Sequence, residues 1–232
     1  ISYLRKKNFD KIVHEIIKIK SSPKILEIGS GDGFFIDKCL KLNLNIVGSE
    51  ASEKNIIKLK KKFKIKILKI ILPFIKKKDD EKFDVIVFND VFEHLTNIND
   101  VISQIKNKLN KSGIILINFP SSDGFIFKLS EIFMKFGFLQ FYDRMWQRNM
   151  SSPHLSYFNK NNIIRLFKRH NFNLKHSGYL DTVEFDSSKR IGDSFKNKIV
   201  IFIISKLLTI FYFIQKLLPR DICYVIFEEV KS

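Results

Sequence analysis

An alternation of short apolar runs with amphipathic helical stretches constrains this chain more than any other feature. Residues 83–89 read FDVIVFN and 113–119 read GIILINF, both nearly unbroken apolar runs. Runs this short suit strands buried on both faces. Such strands belong to parallel sheets covered by helices on either side. The same rhythm predicts strands at 24–29, 45–50 and 64–71, and helices at 34–42, 52–62 and 98–109. A first helix is predicted over 7–20, where Phe9, Ile12, Val13, Ile16 and Ile17 fall on one face before Ser21, Ser22 and Pro23 stop it. After Pro120 the rhythm breaks. An aromatic stretch, 121–158, is expected to hold a helix over 125–137 and a loop. A helix over 159–170 follows, then strands at 172–178 and 222–229, with a long apolar helix over 195–218 between them.

With 45% hydrophobic and 28% charged residues, the 232-residue chain can bury a core and is not a disordered sequence. It reads as one α/β domain over 1–232. An N-terminal helix (1–20), a substrate-side insertion (121–158) and an apolar helical insertion before the last strand (187–219) decorate it. Cys39 and Cys223 lie far apart and give neither a disulfide framework nor a zinc site, so a reducing, cytoplasmic setting is expected. The chain starts at Ile1 rather than Met, as a fragment, a processed form or a trimmed chain would. Residues 1–20 carry charges throughout, unlike a signal peptide. The net charge of +17 has two readings: an anionic partner, or compositional drift in a chain where Lys, Ile, Asn and Phe are abundant together.

The strongest local signal is LEIGSGDG at 26–33, a strand ending in a glycine-rich turn that opens a helix. Gly29, Gly31 and Gly33 allow a ligand to approach the backbone closely. Dinucleotide enzymes share such turns, but Phe34 stands where their fingerprint needs a small residue. Asp32 would repel a pyrophosphate. A ligand bearing an ammonium and a sulfonium tolerates Glu27 and Asp32 better. Glu50 ends the next strand, where an acid can accept both hydroxyls of a ribose. The bland alternative for Glu50 is a solvated strand end.

At this point the sequence resembles the class I S-adenosylmethionine-dependent methyltransferases. The resemblance covers most of the chain and rests on LEIGSGDG, VGSEAS (47–52), FDVIVFNDVFEHL (83–95) and LNKSGIILINFP (109–120). It implies a Rossmann-like, seven-stranded, mostly parallel sheet of order 3-2-1-4-5-7-6 with strand 7 antiparallel and helices on both faces. It also implies S-adenosylmethionine as cofactor, held by Glu27, by the turn Gly29, Ser30, Gly31, Asp32 and Gly33, by Glu50 and by Asn89. An acid that often follows strand three in this family is missing from KILKIILPFI (66–75), and Asp79 and Asp80 come late. Adenine is therefore expected to meet backbone and apolar groups. A narrower resemblance, carried by VFEHL, SSPHLSYF (151–158) and HNF (170–172), is to small-molecule methyltransferases of bacterial cell-surface glycan and lipid-linked biosynthesis. The ubiquinone-pathway O-methyltransferases carry a similar Glu-His pair after strand four.

Methyl transfer to an alcohol needs alignment and a base. His94 is the first candidate base, with Glu93 to orient it and His154 as the alternative. Trp146 and Tyr157 are expected at the acceptor. Against these stand ordinary roles: a helix-start histidine, and aromatic anchors of a loop. A Glu-His pair alone does not indicate a metal, and none is expected. Phe125, Phe127, Phe133, Phe136, Phe138 and Phe141 are either a cap over an apolar acceptor or helix packing. Residues 195–218 are apolar nearly all round. Lys206 in mid-run argues against a bilayer span, leaving the membrane interface or a packing surface. The expected function is O-methylation of a small molecule or a lipid-linked glycan intermediate, at the inner membrane face if the apolar helix meets lipid. The alternatives are nucleic-acid methylation, which the charge prompts but NDVF at 89–92 does not support, and a non-catalytic cofactor-binding scaffold, which the intact turn and Glu50 oppose.

Overall fold

A computed structural model describes residues 3–73, 81–183 and 198–230. Seven strands form one sheet: β1 (Lys24–Ile28), β2 (Asn45–Glu50), β3 (Ile67–Lys69), β4 (Phe83–Asn89), β5 (Leu109–Pro120), β6 (Phe172–Leu180) and β7 (Ile222–Glu229). Their order is β3-β2-β1-β4-β5-β7-β6, as the resemblance implies. β7 runs antiparallel to both neighbours and the other pairs are parallel. Eight helices lie among the described residues: α1 (Tyr3–Ile19), α2 (Phe34–Lys41), α3 (Glu53–Phe63), α4 (Ile98–Lys106), α5 (Phe125–Lys135), α6 (Leu139–Met145), α7 (Lys160–Arg169) and α8 (Lys198–Ile214).

Alternation along the central strands builds two cores. Leu26, Ile86, Phe88, Ile115 and Ile117 go to one side, where Val101, Ile102 and Ile105 of α4 and Ile163 and Phe167 of α7 cover them. Ile25, Val85, Val87, Ile114 and Leu116 go to the other, under Ile12, Val13 and Ile16 of α1, Phe35 and Ile36 of α2, and Ile56 and Leu59 of α3. This double burial is why these strands read as continuous apolar runs. Phe167 of α7 stacks on Phe227 of β7 with rings 4.2 Å apart, locking the last strand to the helical layer.

Three boundaries differ from the sequence expectation. β3 keeps only three residues because α3 ends in a left-handed cap at Lys64 (φ 54°), which delays the strand. β5 starts at Leu109, where the sequence places the end of a helix. Leu109 pairs with Phe83, and a register shift passes through Ser112 (φ 62°) before Ile114 pairs with Val85. The helix expected over 125–137 is present as α5 and ends at Lys135, but after Gly137 (φ 87°) a further helix, α6, occupies the start of the stretch expected as a loop. The first part of the expected 187–219 insertion, 187–197, lies outside the described residues, as do Asp79 and Asp80. Among the described residues no helix is long and apolar enough to cross a membrane. The carboxyl ends of β1, β2, β4 and β5 share one edge, where Glu27, Glu50, Asn89 and Asn118 stand.

Candidate active site

β1 leaves the sheet through a turn tied to β2. The Ser30 N–H donates to the Ser49 carbonyl (2.8 Å), and the Ser49 N–H donates to Ser30 Oγ (3.1 Å). Gly31 has φ 53° with nothing within 4 Å of the place a side chain would occupy, and its N–H donates to Glu50 Oε1 at 2.5 Å. Gly33 does something else. At φ 77°, a methyl group there would run into Phe63 and Leu59 of α3. Gly31 thus leaves open space beside the backbone, while Gly33 lets α3 close on the turn. Gly29 lies against Val91, which brings the segment after β4 to the same place. Asp32 is engaged at the surface by Lys58 of α3 (2.7 Å), which holds its carboxyl below the usual range.

Glu27 is buried near the end of β1. Asn89 Nδ2 donates to Glu27 Oε1 (2.8 Å), Asn118 Nδ2 donates to Asn89 Oδ1 (2.7 Å), and the Asp90 N–H donates to Asn118 Oδ1 (3.1 Å). One polar chain therefore crosses three strands. The other oxygen of Glu27, Oε2, has no hydrogen-bond partner. Burial pushes the Glu27 carboxyl up to about 8, against the opposing pull of Asn89 and Ser30. A buried carboxylate with a free oxygen is costly until a cation meets it. The residues present therefore fit a ligand with an ammonium group. Asn118 escaped the sequence reading, although a lone amide in GIILINF marked it. Arg5 escaped too: α1 carries it to Asp90 Oδ2 (3.3 Å), at the end of β4.

After Asp90 the chain makes a single 3-10 turn, Phe92–His94. The Glu93 carbonyl accepts the N–H groups of Leu155 (2.9 Å) and Ser156 (3.0 Å), clamping the 151–158 segment against the turn. His94 Nδ1 lies 2.8 Å from the Pro153 carbonyl. A carbonyl only accepts, so Nδ1 carries the proton and Nε2 is left as a base. The His94 and His154 rings are 4.8 Å apart. Burial, then the neighbouring His94, lowers His154 to about 4, which keeps it neutral. Glu93 is buried, and burial with help from Asp90 pushes it up to about 8. Glu93, His94 and His154 offer three ligating atoms within 4.8 Å of one another, a donor set that suits a divalent cation. The Glu-His pair alone gave no reason to expect this; the fold adds the third donor from 60 residues downstream of His94.

Aromatic rings wall this cluster. Tyr157 meets His154 (5.4 Å), Trp146 (5.3 Å) and Phe127 (4.3 Å). Burial pushes the Tyr157 hydroxyl well up, so it stays protonated. Of the six phenylalanines in 125–141, Phe127 joins the wall. Phe125 packs on Phe211, Phe133 touches Phe138 and Phe141, and Phe136 is exposed. Buried polar side-chain atoms almost always find partners. Among the described residues five do not, and four are here: Glu27 Oε2, Glu93 Oε2, Trp146 Nε1 and His154 Nδ1.

Residues 1–177 match the family model described as a methyltransferase domain. A ubiquinone biosynthesis O-methyltransferase of Pelagibacter ubique (strain HTCC1062) is 38% identical over 110 residues, a stretch covering 43% of this chain and 45% of that protein. The chain thus spans less than half the length of that curated relative. A SAM dependent methyltransferase from Archaeoglobus fulgidus superimposes with a TM-score of 0.63 at 17% identity, covering 97% of this chain and 94% of the other. Magnesium protoporphyrin IX methyltransferase from Synechocystis PCC 6803, solved with bound SAH, gives 0.61 at 11% identity, over 97% of this chain and 83% of the other. These two likenesses establish the fold. Through the family match over 1–177, the chain belongs to the methyltransferase-domain family, and its strand order is the one that the resemblance to the class I S-adenosylmethionine-dependent methyltransferases implies.

Proposed function

We propose that this protein O-methylates a small molecule, or the glycan of a lipid-linked intermediate, at the cytoplasmic face of a membrane. The observation that carries the reading is the concentration of unpartnered buried polar atoms in two adjacent groups, one around Glu27 and one around His94. When bound, S-adenosylmethionine supplies an electrophilic methyl group on a sulfonium. Glu27, held by Asn89 and Asn118, binds the ammonium of the donor. The open backbone at Gly31 and the carboxylate of Glu50 receive its ribose. Gly29, Ser30 and Gly33 shape the turn. The acceptor hydroxyl loses its proton to His94 Nε2, and Pro153 keeps the imidazole in the tautomer that can accept it. Glu93, His154, Trp146 and Tyr157 border the acceptor and exclude water.

The 38% identity to a ubiquinone biosynthesis O-methyltransferase over 110 residues supports oxygen as the methylated atom. A second reading is favoured by the three-donor cluster: a divalent cation on Glu93, His94 and His154 would lower the pKa of a bound hydroxyl in place of a free base. The readings separate by chelation. Turnover that survives exhaustive dialysis against a chelator supports His94 as the base. Loss restored by one metal ion supports the second. The function as a whole is tested by titrating the protein with S-adenosylmethionine, then screening cell-envelope extracts for products heavier by one methyl group. A silent titration with folded protein would sink it.

A further inference from the structure

α8 presents its side chains the wrong way round for a helix that borders water. Ile199, Phe202, Leu207, Ile210 and Phe213 fall on one face of α8 and, like Leu217 just beyond it, are all exposed, Phe202 at 62% and Leu207 at 60%. The uncharged polar groups turn toward the protein instead. Gln215 is buried. It accepts from the N–H groups of Thr182 and Val183 (both 3.3 Å) and donates to the Val183 carbonyl (3.1 Å). Ser205 Oγ is buried without a partner, and Thr209 Oγ1 donates to the Ser205 carbonyl (2.9 Å). The first turn of α5 touches α8 through Phe125 against Phe211 (5.8 Å). A patch of this kind has an apolar partner in the working protein.

Charge decides which partner. Residues 195–218 hold Lys196, Lys198, Lys206 and Lys216 and not one acid. Lys206 stands within the apolar face, its Nζ 5.5 Å from the Phe202 ring. Two copies pairing through this face would oppose cationic helices with no carboxylate on either to answer them. The excess of 41 Lys and Arg over 24 Asp and Glu adds to that repulsion. An anionic phospholipid surface answers both features. Acyl chains receive the phenylalanines and leucines, while headgroup phosphates receive the lysine that reaches up from among them. Since no described helix can cross a bilayer, the helix would lie along the interface.

We propose that α8 docks this protein on the surface of an anionic phospholipid bilayer through its outward apolar face. The proposal does not rest on methyl transfer, and a failed cofactor titration would leave it standing. The test is sedimentation of the full chain with phosphatidylcholine vesicles, with and without phosphatidylglycerol. Binding is expected with phosphatidylglycerol, and the double substitution Phe202→Glu, Leu207→Glu should weaken it roughly tenfold or more. Lys206→Glu should remove part of the gain that phosphatidylglycerol gives. Should the double variant lose its circular dichroism signature, Phe213→Ser with Leu217→Ser probes the same patch with less change. Absence of sedimentation with either vesicle overturns the proposal, as does binding that none of these substitutions alters. A dimer in vesicle-free solution that the double variant dissociates, with no lipid binding, would assign the face to a second copy and overturn it too.

Discussion

Glu27 concentrates the electrostatic problem of the site in one side chain. Its carboxyl is raised by burial from an ordinary 4.5 to about 8, and Asn89 satisfies only one of its oxygens. Between those two values the folded protein holds a proton that the unfolded chain has released. The ligand-free protein therefore loses stability as pH rises through that window. Glu27→Gln keeps an oxygen for Asn89 and removes the ionisation. Its melting temperature should match wild type near pH 5 and exceed it at pH 8, with the slope due to Glu93 remaining. The same variant should bind S-adenosylmethionine roughly tenfold or more weakly by calorimetry. A variant that binds as wild type would remove Glu27 from the cofactor site. His94→Ala should lower kcat by roughly a hundredfold to ten-thousandfold while cofactor affinity holds. If it and His154→Ala both keep full turnover, neither is the base.

At the scale of elements, the glycine turn does two jobs. Gly33 is where the α2 entrance meets α3, so Gly33→Ala forces a methyl group against Phe63 and Leu59. It should cost about 1–3 kcal/mol in denaturant unfolding. Gly31→Ala has free space on its side, and its penalty is confined to the positive φ and to ligand binding. That division was hidden in LEIGSGDG, where the glycines look alike; only the position of α3 separates them. Strand identities were legible because double burial leaves continuous apolar runs such as FDVIVFN. Boundaries were not, because caps such as Lys64 and breaks such as Gly137 depend on backbone angles rather than apolar pattern. Within the site, Glu27, Glu50 and His94 could be named from their places at or just beyond strand ends. Asn118 and Arg5 could not, since each matters through a contact made by a distant strand or helix. His154 was named, but its ring contact with His94 needed the 151–158 loop to fold back onto Glu93.

For the whole molecule, the apolar face of α8 and the acceptor-side cluster belong to the same body, joined through α5. If the acceptor is lipid-linked, turnover should rise when it shares a phosphatidylglycerol bilayer with the enzyme, while a water-soluble analogue gains nothing. Equal rates in both settings would detach the lipid face from catalysis. The sheet order also bears on how the chain comes to be folded. Among the described residues β6 pairs with no strand but β7, which lies between it and β5. Throughout synthesis of residues 181–221, both β5 and the segment that becomes β6 present unpaired hydrogen-bonding edges. A ribosome that pauses in that interval holds a nascent chain with its sheet still open and the hydrophobic insertion just emerging. The nascent chain is most in need of chaperone or lipid there, before Ile222–Glu229 slots in and closes the gap.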